Sequence, residues 1–423
     1  MMDHRQIIND PARLMKHILV AGGLVVVLLL LTWHTARVGF SSLLTAYAAQ
    51  SKDIDAANLA VRINSSDPEA LYVRGTVLEA RNDMRGAAAA YNEAVLVRPD
   101  DCVLWLGLAR TRELSGETDD AVAAARQSVP LAPYYAQPHW QLGNILLRAG
   151  QRDEAFKELR FAAASNPTLI PTVIDLAWRI SGGNVQFLNQ AIQPNTPEAY
   201  ETLGRFLRHQ GDLNAALTIY AAAGGKASEK ERRANLAALI AAKRFQEAFS
   251  LSIEGHPESK AGVMIDPGYE EERDLHEPGF GWRTSDKAQG FRLSLDSANP
   301  RQGRSSLKVD FDGESDPASP VISQLVLVEP HTQYRLSFSA RTEGIISGGL
   351  PRLVVVDAGS NSVLGQSEEL PQATGGWRDY TIEFNSDESA TAIQINLQRQ
   401  ICPQPSCPIF GRLWLDNLWL QKL

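Results

Sequence analysis

The sequence predicts a multidomain chain: one transmembrane helix, then an all-α repeat solenoid, then an all-β sandwich. Three observations predict it. An uncharged apolar run covers Ile18 to Leu31. Small residues and prolines recur every 34 positions through the first half of the chain. Beyond about position 278, long helical patterns give way to short alternating segments.

The apolar run is extended by Thr32 and Trp33, with Lys16 able to snorkel at its near end. It therefore reads as a spanning helix over residues 17–35. Arg5, Arg13 and Lys16 precede it and only Arg37 follows closely, so residues 1–16 are expected in the cytoplasm and the bulk of the chain outside. A cleaved signal peptide is the competing reading. Its small-x-small site, Ala46-Tyr47-Ala48, lies too far downstream of the apolar core. Abundant arginine and alanine hint at a bacterial source, and the expected location is a bacterial inner membrane, facing the periplasm.

The middle of the chain is a repeat array. Gly75, Ala109 and Gly143 step by 34, as do Ala87, Ala121 and Ala155, and Ala94, Ser128 and Ala162. Pro99, Pro133 and Pro167 close the units, and Asn82-Asp83, Gly116 and Gly150 separate the two halves of each. Small residues at fixed positions mark places where two helices cross closely. These residues resemble the tetratricopeptide repeat family over Pro68 to Leu169. Weaker units extend the array over 67–254, after a degenerate helical pair at 36–66. The resemblance implies a curved solenoid whose concave face, lined by first helices, binds proteins. By offset that face carries Tyr72, Thr76, Arg110, Trp140, Asn144, Arg148, Arg205, Arg208 and His209. Trp140 is its strongest anchor, and Arg205, Arg208 and His209 form a basic cluster suited to an acidic segment.

Residues 255–278 read as a linker, with the acidic stretch Glu270 to Glu277 as its solvated part. From 279 to 423 the expected strands are 291–296, 306–311, 321–328, 333–340, 353–356, 379–384, 392–398 and 411–420. Leu307-Lys308-Val309-Asp310-Phe311 alternates strictly, as a half-buried strand does. This spacing of short strands suggests a sandwich with jelly-roll character. The segments Gln302–Val309, Val328–Leu336, Gly376–Phe384 and Leu413–Leu418 resemble the galactose-binding-like superfamily, which includes carbohydrate-binding modules. That resemblance implies Trp282 and Trp377 as sugar-stacking candidates, with Trp414 and Trp419 more suited to the core. It also implies a structural calcium beside Asp416, the only cofactor expected. Cys402 and Cys407 flank a proline-containing loop and read as a disulfide in an oxidising compartment, with free thiols as the alternative. Cys102 reads as a small buried hydrophobe.

Composition excludes some functions. The chain is 44% apolar and 21% charged over 423 residues, which is globular. Residues from Ala261 onward carry 14 basic and 22 acidic side chains, the whole of the net charge of −8. Neither half has the basic patch that a phosphate backbone needs, so nucleic acid is not an expected partner. No zinc-protease, nucleophile-elbow or phosphate-loop motif is present, so no catalysis is expected. The reading is a membrane-anchored scaffold or adaptor that binds proteins through its repeats, in surface or exopolysaccharide assembly. One alternative is a carbohydrate-binding protein acting through the sandwich. Another is an accessory subunit of a glycan-active enzyme.

Overall fold

The structure is a computed structural model that describes residues 11–224, 227–253, 262–272, 274–284, 289–402 and 407–423. Positions 1–10 of the expected cytoplasmic tail, the start of the expected linker at 254–261, and the prolines of the cysteine loop lie outside the described residues. The chain forms two compact units, Met1–Pro194 and Asn195–Leu423. The expected boundary was the end of helical patterning near 254; the contacts instead group the last two helix pairs with the sandwich.

The first unit begins with α1 (Pro11–Ser51), 41 residues without a break. At 1.5 Å per residue it is about 60 Å long. The sequence reading ended the span at 35 and began a separate helical pair at 36. The structure runs the two together, because nothing between Thr32 and Ser51 stops a helix except the tolerated Gly39. Its apolar residues from Met15 to Trp33 are all exposed, and burial starts at Ser41, whose Oγ donates to Ala60 O at 3.0 Å. α2 (Ile54–Ile63) packs there, capped by Asp53, which accepts from the Asp55 and Ala56 amides.

Three regular pairs follow: α3 (Pro68–Ala80) with α4 (Met84–Val97), α5 (Cys102–Leu114) with α6 (Thr118–Leu131), and α7 (Ala136–Arg148) with α8 (Arg152–Ser165). Local chemistry repeats with them. Asp67 and Asp101 cap α3 and α5. Asn82, Gly116 and Gly150 take the left-handed conformation in the turn within each pair, at φ 62°, 83° and 78°. Close crossing is visible at Gly75 and Gly107. A Cβ added to either would fall 2.8 or 2.9 Å from the Tyr91 ring, which is fully buried between them. At Gly143 the obstacle is Leu159, at 2.8 Å. Prolines in the loops between pairs serve as acceptors. Trp105 Nε1 donates to Pro99 O at 2.7 Å, and one repeat later His139 Nε2 lies 3.0 Å from Pro133 O. A short 3₁₀ turn at Pro167–Leu169 leads to α9 (Ile170–Ser181) and the short α10 (Val185–Ile192), which end this unit.

The second unit contains α11 (Pro197–His209), α12 (Leu213–Ala223), α13 (Glu229–Ala241) and α14 (Phe245–Ser252), followed, among the described residues, by ten strands. These are β1 (Trp282–Arg283), β2 (Phe291–Asp296), β3 (Ser306–Asp312), β4 (Ile322–Leu327), β5 (Gln333–Ser347), β6 (Pro351–Asp357), β7 (Val363–Gln366), β8 (Arg378–Asn385), β9 (Ala392–Arg399) and β10 (Ile409–Lys422). They form two five-stranded antiparallel sheets, ordered β1-β4-β9-β6-β7 and β2-β3-β10-β5-β8. The core lies between the sheets, with Val309, Phe338 and Leu413 of one against Val355, Ile393 and Ile395 of the other. All eight expected strands are present. β1 and β7 are additions, too short at two and four residues to show a pattern.

Residues 262–284 are not a solvated linker in the structure. Met264, Tyr269 and Trp282 are buried in the sandwich core. Phe280 joins a second cluster with Leu236 and Leu239 of α13, Phe249 of α14, Leu325 of β4 and Ala392 of β9. The rings of Phe280 and Phe249 meet edge to face at 5.1 Å. Arg232 of α13 adds an ion pair to Glu277 at 3.0 Å.

Cys402 and Cys407 are joined in a disulfide. Arg399, 1% exposed, holds the loop from inside: its Nη2 donates to Cys407 O at 2.6 Å and to Ser347 Oγ at 2.9 Å. Burial lowers the pKa of this guanidinium, whose hydrogen bonds go to carbonyls and Ser347 Oγ, and the nearby Asp316 carboxylate opposes that shift without cancelling it. Reducing the disulfide is expected to cost about 2 kcal/mol, the loop-entropy value for so short a loop. Urea denaturation with and without dithiothreitol measures this. An unchanged midpoint would show that Arg399 alone secures the loop.

Candidate protein-binding surface

The first helices of the regular pairs, α3, α5 and α7, carry the residues expected to line a binding face. Tyr72 on α3 is half-buried, its ring 5.8 Å from that of Tyr91. Thr76, one turn on, is also half-buried and its hydroxyl donates to Val73 O. Trp140 on α7 is half-buried, and Asn144 turns its amide back to Trp140 O at 2.8 Å.

Arg110 and Arg148 are not free cations. Arg110 Nη2 lies 2.9 Å from both carboxylate oxygens of Glu79 on the preceding first helix. Burial opposes the charge of Arg110, but attraction and hydrogen bonding to Glu79 prevail and its pKa is raised. Arg148 pairs in the same way with Glu113 of α5. Both pairs are partly exposed, so each adds at most about 1 kcal/mol of stability. Their larger effect is to neutralise the face. Apolar side chains stand out instead: Val103 and Leu114 on α5 are 52% and 60% exposed.

No family model matches the chain. A stretch of 94 residues, 22% of the chain, is 28% identical to the TPR repeat-containing thioredoxin TTL4 of Arabidopsis thaliana, and covers 14% of that protein. Among solved structures, MamA aligns with a TM-score of 0.28 and 15% identity, over 40% of this chain and 82% of that one. YrrB, described as a TPR protein with an unusual peptide-binding site, aligns with a TM-score of 0.27 and 15% identity, over 49% of this chain and 95% of that one. The described helix pairs α3–α8 follow the 34-residue spacing read from the sequence.

Arg205, Arg208 and His209 lie on α11, in the second compact unit, whereas the other face residues lie in the first. Arg205 sits 3.8 Å from Glu201. Arg208 is largely buried, its Nη2 3.0 Å from Glu231 Oε2 and its Nη1 2.8 Å from Asn235 Oδ1. Its other contact is from Nη1 to Glu231 Oε1. Arg208 is therefore part of the packing between α11 and α13. Of the expected cluster, His209 is exposed and has no ion pair among the described residues.

The partners missed from sequence are acidic. Glu79 and Glu113 are themselves 34 residues apart, so the repeat offset contained the signal. The arginines broke the pattern, since Arg148 sits one helical turn beyond the position equivalent to Arg110. His139 and Glu158 were also missed. They lie 2.6 Å apart, buried between α7 and α8, with the imidazole stacked on Phe161 at 5.2 Å.

The sandwich candidates change role. Trp282 is 3% exposed, stacked on Tyr269 at 4.9 Å, and its Nε1 donates to Asp266 O at 2.9 Å. It is a core residue and offers no face to a sugar. Trp377 is half-buried and its Nε1 donates to Asn299 O at 3.0 Å. Arg341 lies over the Trp414 ring at 3.9 Å and near the Trp377 ring at 5.7 Å, so a cation already covers these rings. Trp419, read as a core residue, is 62% exposed.

Asp416 is fully buried, but its oxygens face amides rather than other ligands. Oδ2 accepts from Arg301 N at 2.7 Å and Gln302 N at 3.0 Å, and Oδ1 accepts from Asn417 N at 2.6 Å. Burial raises its pKa despite these donors. No group of three or more His, Cys, Asp or Glu side chains able to hold a metal occurs among the described residues. These hydrogen bonds fasten the 301–302 loop to β10. Cys102, expected to be buried, is half-buried at the start of α5 with Sγ 3.5 Å from Ser128 O, and burial raises its pKa.

Proposed function

We propose that this protein is a non-catalytic scaffold, held at a bacterial inner membrane by α1, that binds a protein segment along the first-helix face of its repeats. The observation that carries the reading is the chemistry of that face. Tyr72 and Trp140 are half-exposed there, Val103 and Leu114 protrude, and the nearby arginines are already neutralised by Glu79 and Glu113. A neutral face with exposed apolar and aromatic side chains suits a segment with apolar anchors better than the acidic one expected from sequence.

Anchoring is supported by α1, which is long and apolar enough to cross a membrane by length and composition. The disulfide supports a periplasmic side for the sandwich. A role in surface or exopolysaccharide assembly remains part of the proposal, as does the jelly-roll relationship of the two sheets.

The test is photo-crosslinking in the native cell. A photoreactive residue at Asn144 is expected to give protein adducts, while one at Glu117, at the start of the α6 side of its pair, gives none. Trp140→Ala is expected to reduce the Asn144 adducts about tenfold, the effect of losing an aromatic hot spot. Equal labelling from both positions, or adducts indifferent to Trp140, would refute the reading.

A further inference from the structure

A second site lies where α1 leaves its apolar stretch. Trp33, Ala36, Arg37 and Phe40 of α1 meet Arg62 and Ile63 at the end of α2 around a concavity of about 430 Å³. Two of its walls are aromatic and open: Trp33 is 71% exposed and Phe40 53%. Two arginines share it. Arg37 uses its Nε to donate to Ile63 O, which anchors the guanidinium beside α2. Arg62 is exposed and has no carboxylate partner among the described residues.

Two exposed cations line this one concavity. At Arg110, Arg148 and Arg208 the chain supplies an internal carboxylate. At Arg37 and Arg62 the described residues supply none. The position matters as much as the charge. The last residue of the uncharged apolar run, Trp33, lies one helical turn before Arg37, and Trp is the side chain that settles at the level of lipid headgroups. A guanidinium binds phosphate through a planar fork of N–H groups.

We propose that Arg37 and Arg62 hold the phosphate of a membrane phospholipid, with Trp33 and Phe40 against its glycerol and upper acyl chains. This rests on the reading of α1 as a membrane anchor. The lipid then fixes the first TPR helices relative to the bilayer: α1 is continuous into the packing of Ser41, Thr45 and Ala48, so a phosphate bridging α1 and α2 braces the joint between span and solenoid.

The test uses the full chain purified in an uncharged detergent. Thermal unfolding is followed with short-chain dihexanoyl-phosphatidylglycerol, inorganic phosphate or a short-chain diacylglycerol. Phosphatidylglycerol is expected to stabilise the wild type. Arg62→Gln is expected to weaken its apparent affinity about tenfold, and Arg62→Lys to recover part of it. Arg62 is exposed, so the variant folds, and its circular dichroism in the absence of lipid should match the wild type. Equal stabilisation by inorganic phosphate would show a plain anion site and overturn the lipid assignment. Equal stabilisation by diacylglycerol would overturn the role of the arginines, as would an unchanged affinity in Arg62→Gln. Flotation of the wild type with liposomes tests the anchor separately: a chain that fails to float refutes the anchor whatever the arginine variants do.

Discussion

Replacing Phe280 by alanine is expected to destabilise the C-terminal unit by about 3–5 kcal/mol, the cost of emptying a buried aromatic site. The more informative effect is on cooperativity. Phe280 is 3% exposed and is the side chain from the approach to β1 that enters the cluster of Leu236, Leu239 and Phe249 above Leu325 and Ala392. Those helices and strands belong to one compact unit in the wild type, so their most protected amides should exchange together. In Phe280→Ala, the amides of α13 and α14 should exchange ahead of those of β4 and β9. Hydrogen exchange followed by mass spectrometry reads both groups in one experiment. Continued joint exchange, with a loss below about 1 kcal/mol, would mean that the helices and the sandwich are only neighbours.

Glu231→Ala should be of similar size, about 3–5 kcal/mol, because it strands a charge instead of opening a cavity. The Arg208 side chain is 15% exposed and that of Glu231 5%. Without the carboxylate, Arg208 keeps only Asn235 Oδ1 as an acceptor, and Asn235 is itself fully buried. Gly204 leaves the room this arrangement needs, since a Cβ there would run into the Glu231 carboxylate. The double variant Arg208→Met/Glu231→Leu removes both charges and is expected to recover most of the loss, as apolar replacements of buried pairs do. Urea midpoints of the single and double variants decide this. A double variant no more stable than Glu231→Ala would locate the loss in packing rather than in the unpaired guanidinium. Arg208→Ala should likewise lower stability while leaving Asn144 adducts unchanged, which separates a packing role from a binding role.

The repeat array was legible because its requirements are local and periodic. Gly75 and Gly143 are small since Tyr91 and Leu159 press on them, and that constraint returns every 34 residues. The strands were legible where alternation lasted long enough, as in Leu307 to Phe311. β1 escaped because two residues carry no period, and with it went the core role of Trp282, which the superfamily resemblance offered as a sugar-stacking candidate. Charges were the least legible feature. Arg110, Arg148 and Arg208 look alike in sequence, yet each is neutralised by a glutamate some 23 to 35 residues away. No local pattern reveals which charges will meet across two helices.

By itself, then, the sequence determined the order of the parts: an apolar helix, paired helices of fixed period, and short strands. Hydrophobic periodicity and turn chemistry act over a few residues and can be read from them. Only the tertiary structure decided where the parts join and which side chains remain available. It ran the apolar helix on into the packing against α2 and grouped the last helix pairs with the sandwich. It also buried Trp282 and closed Arg208 against Glu231. Those outcomes depend on contacts between residues distant in sequence, where burial and charge pairing are settled by packing.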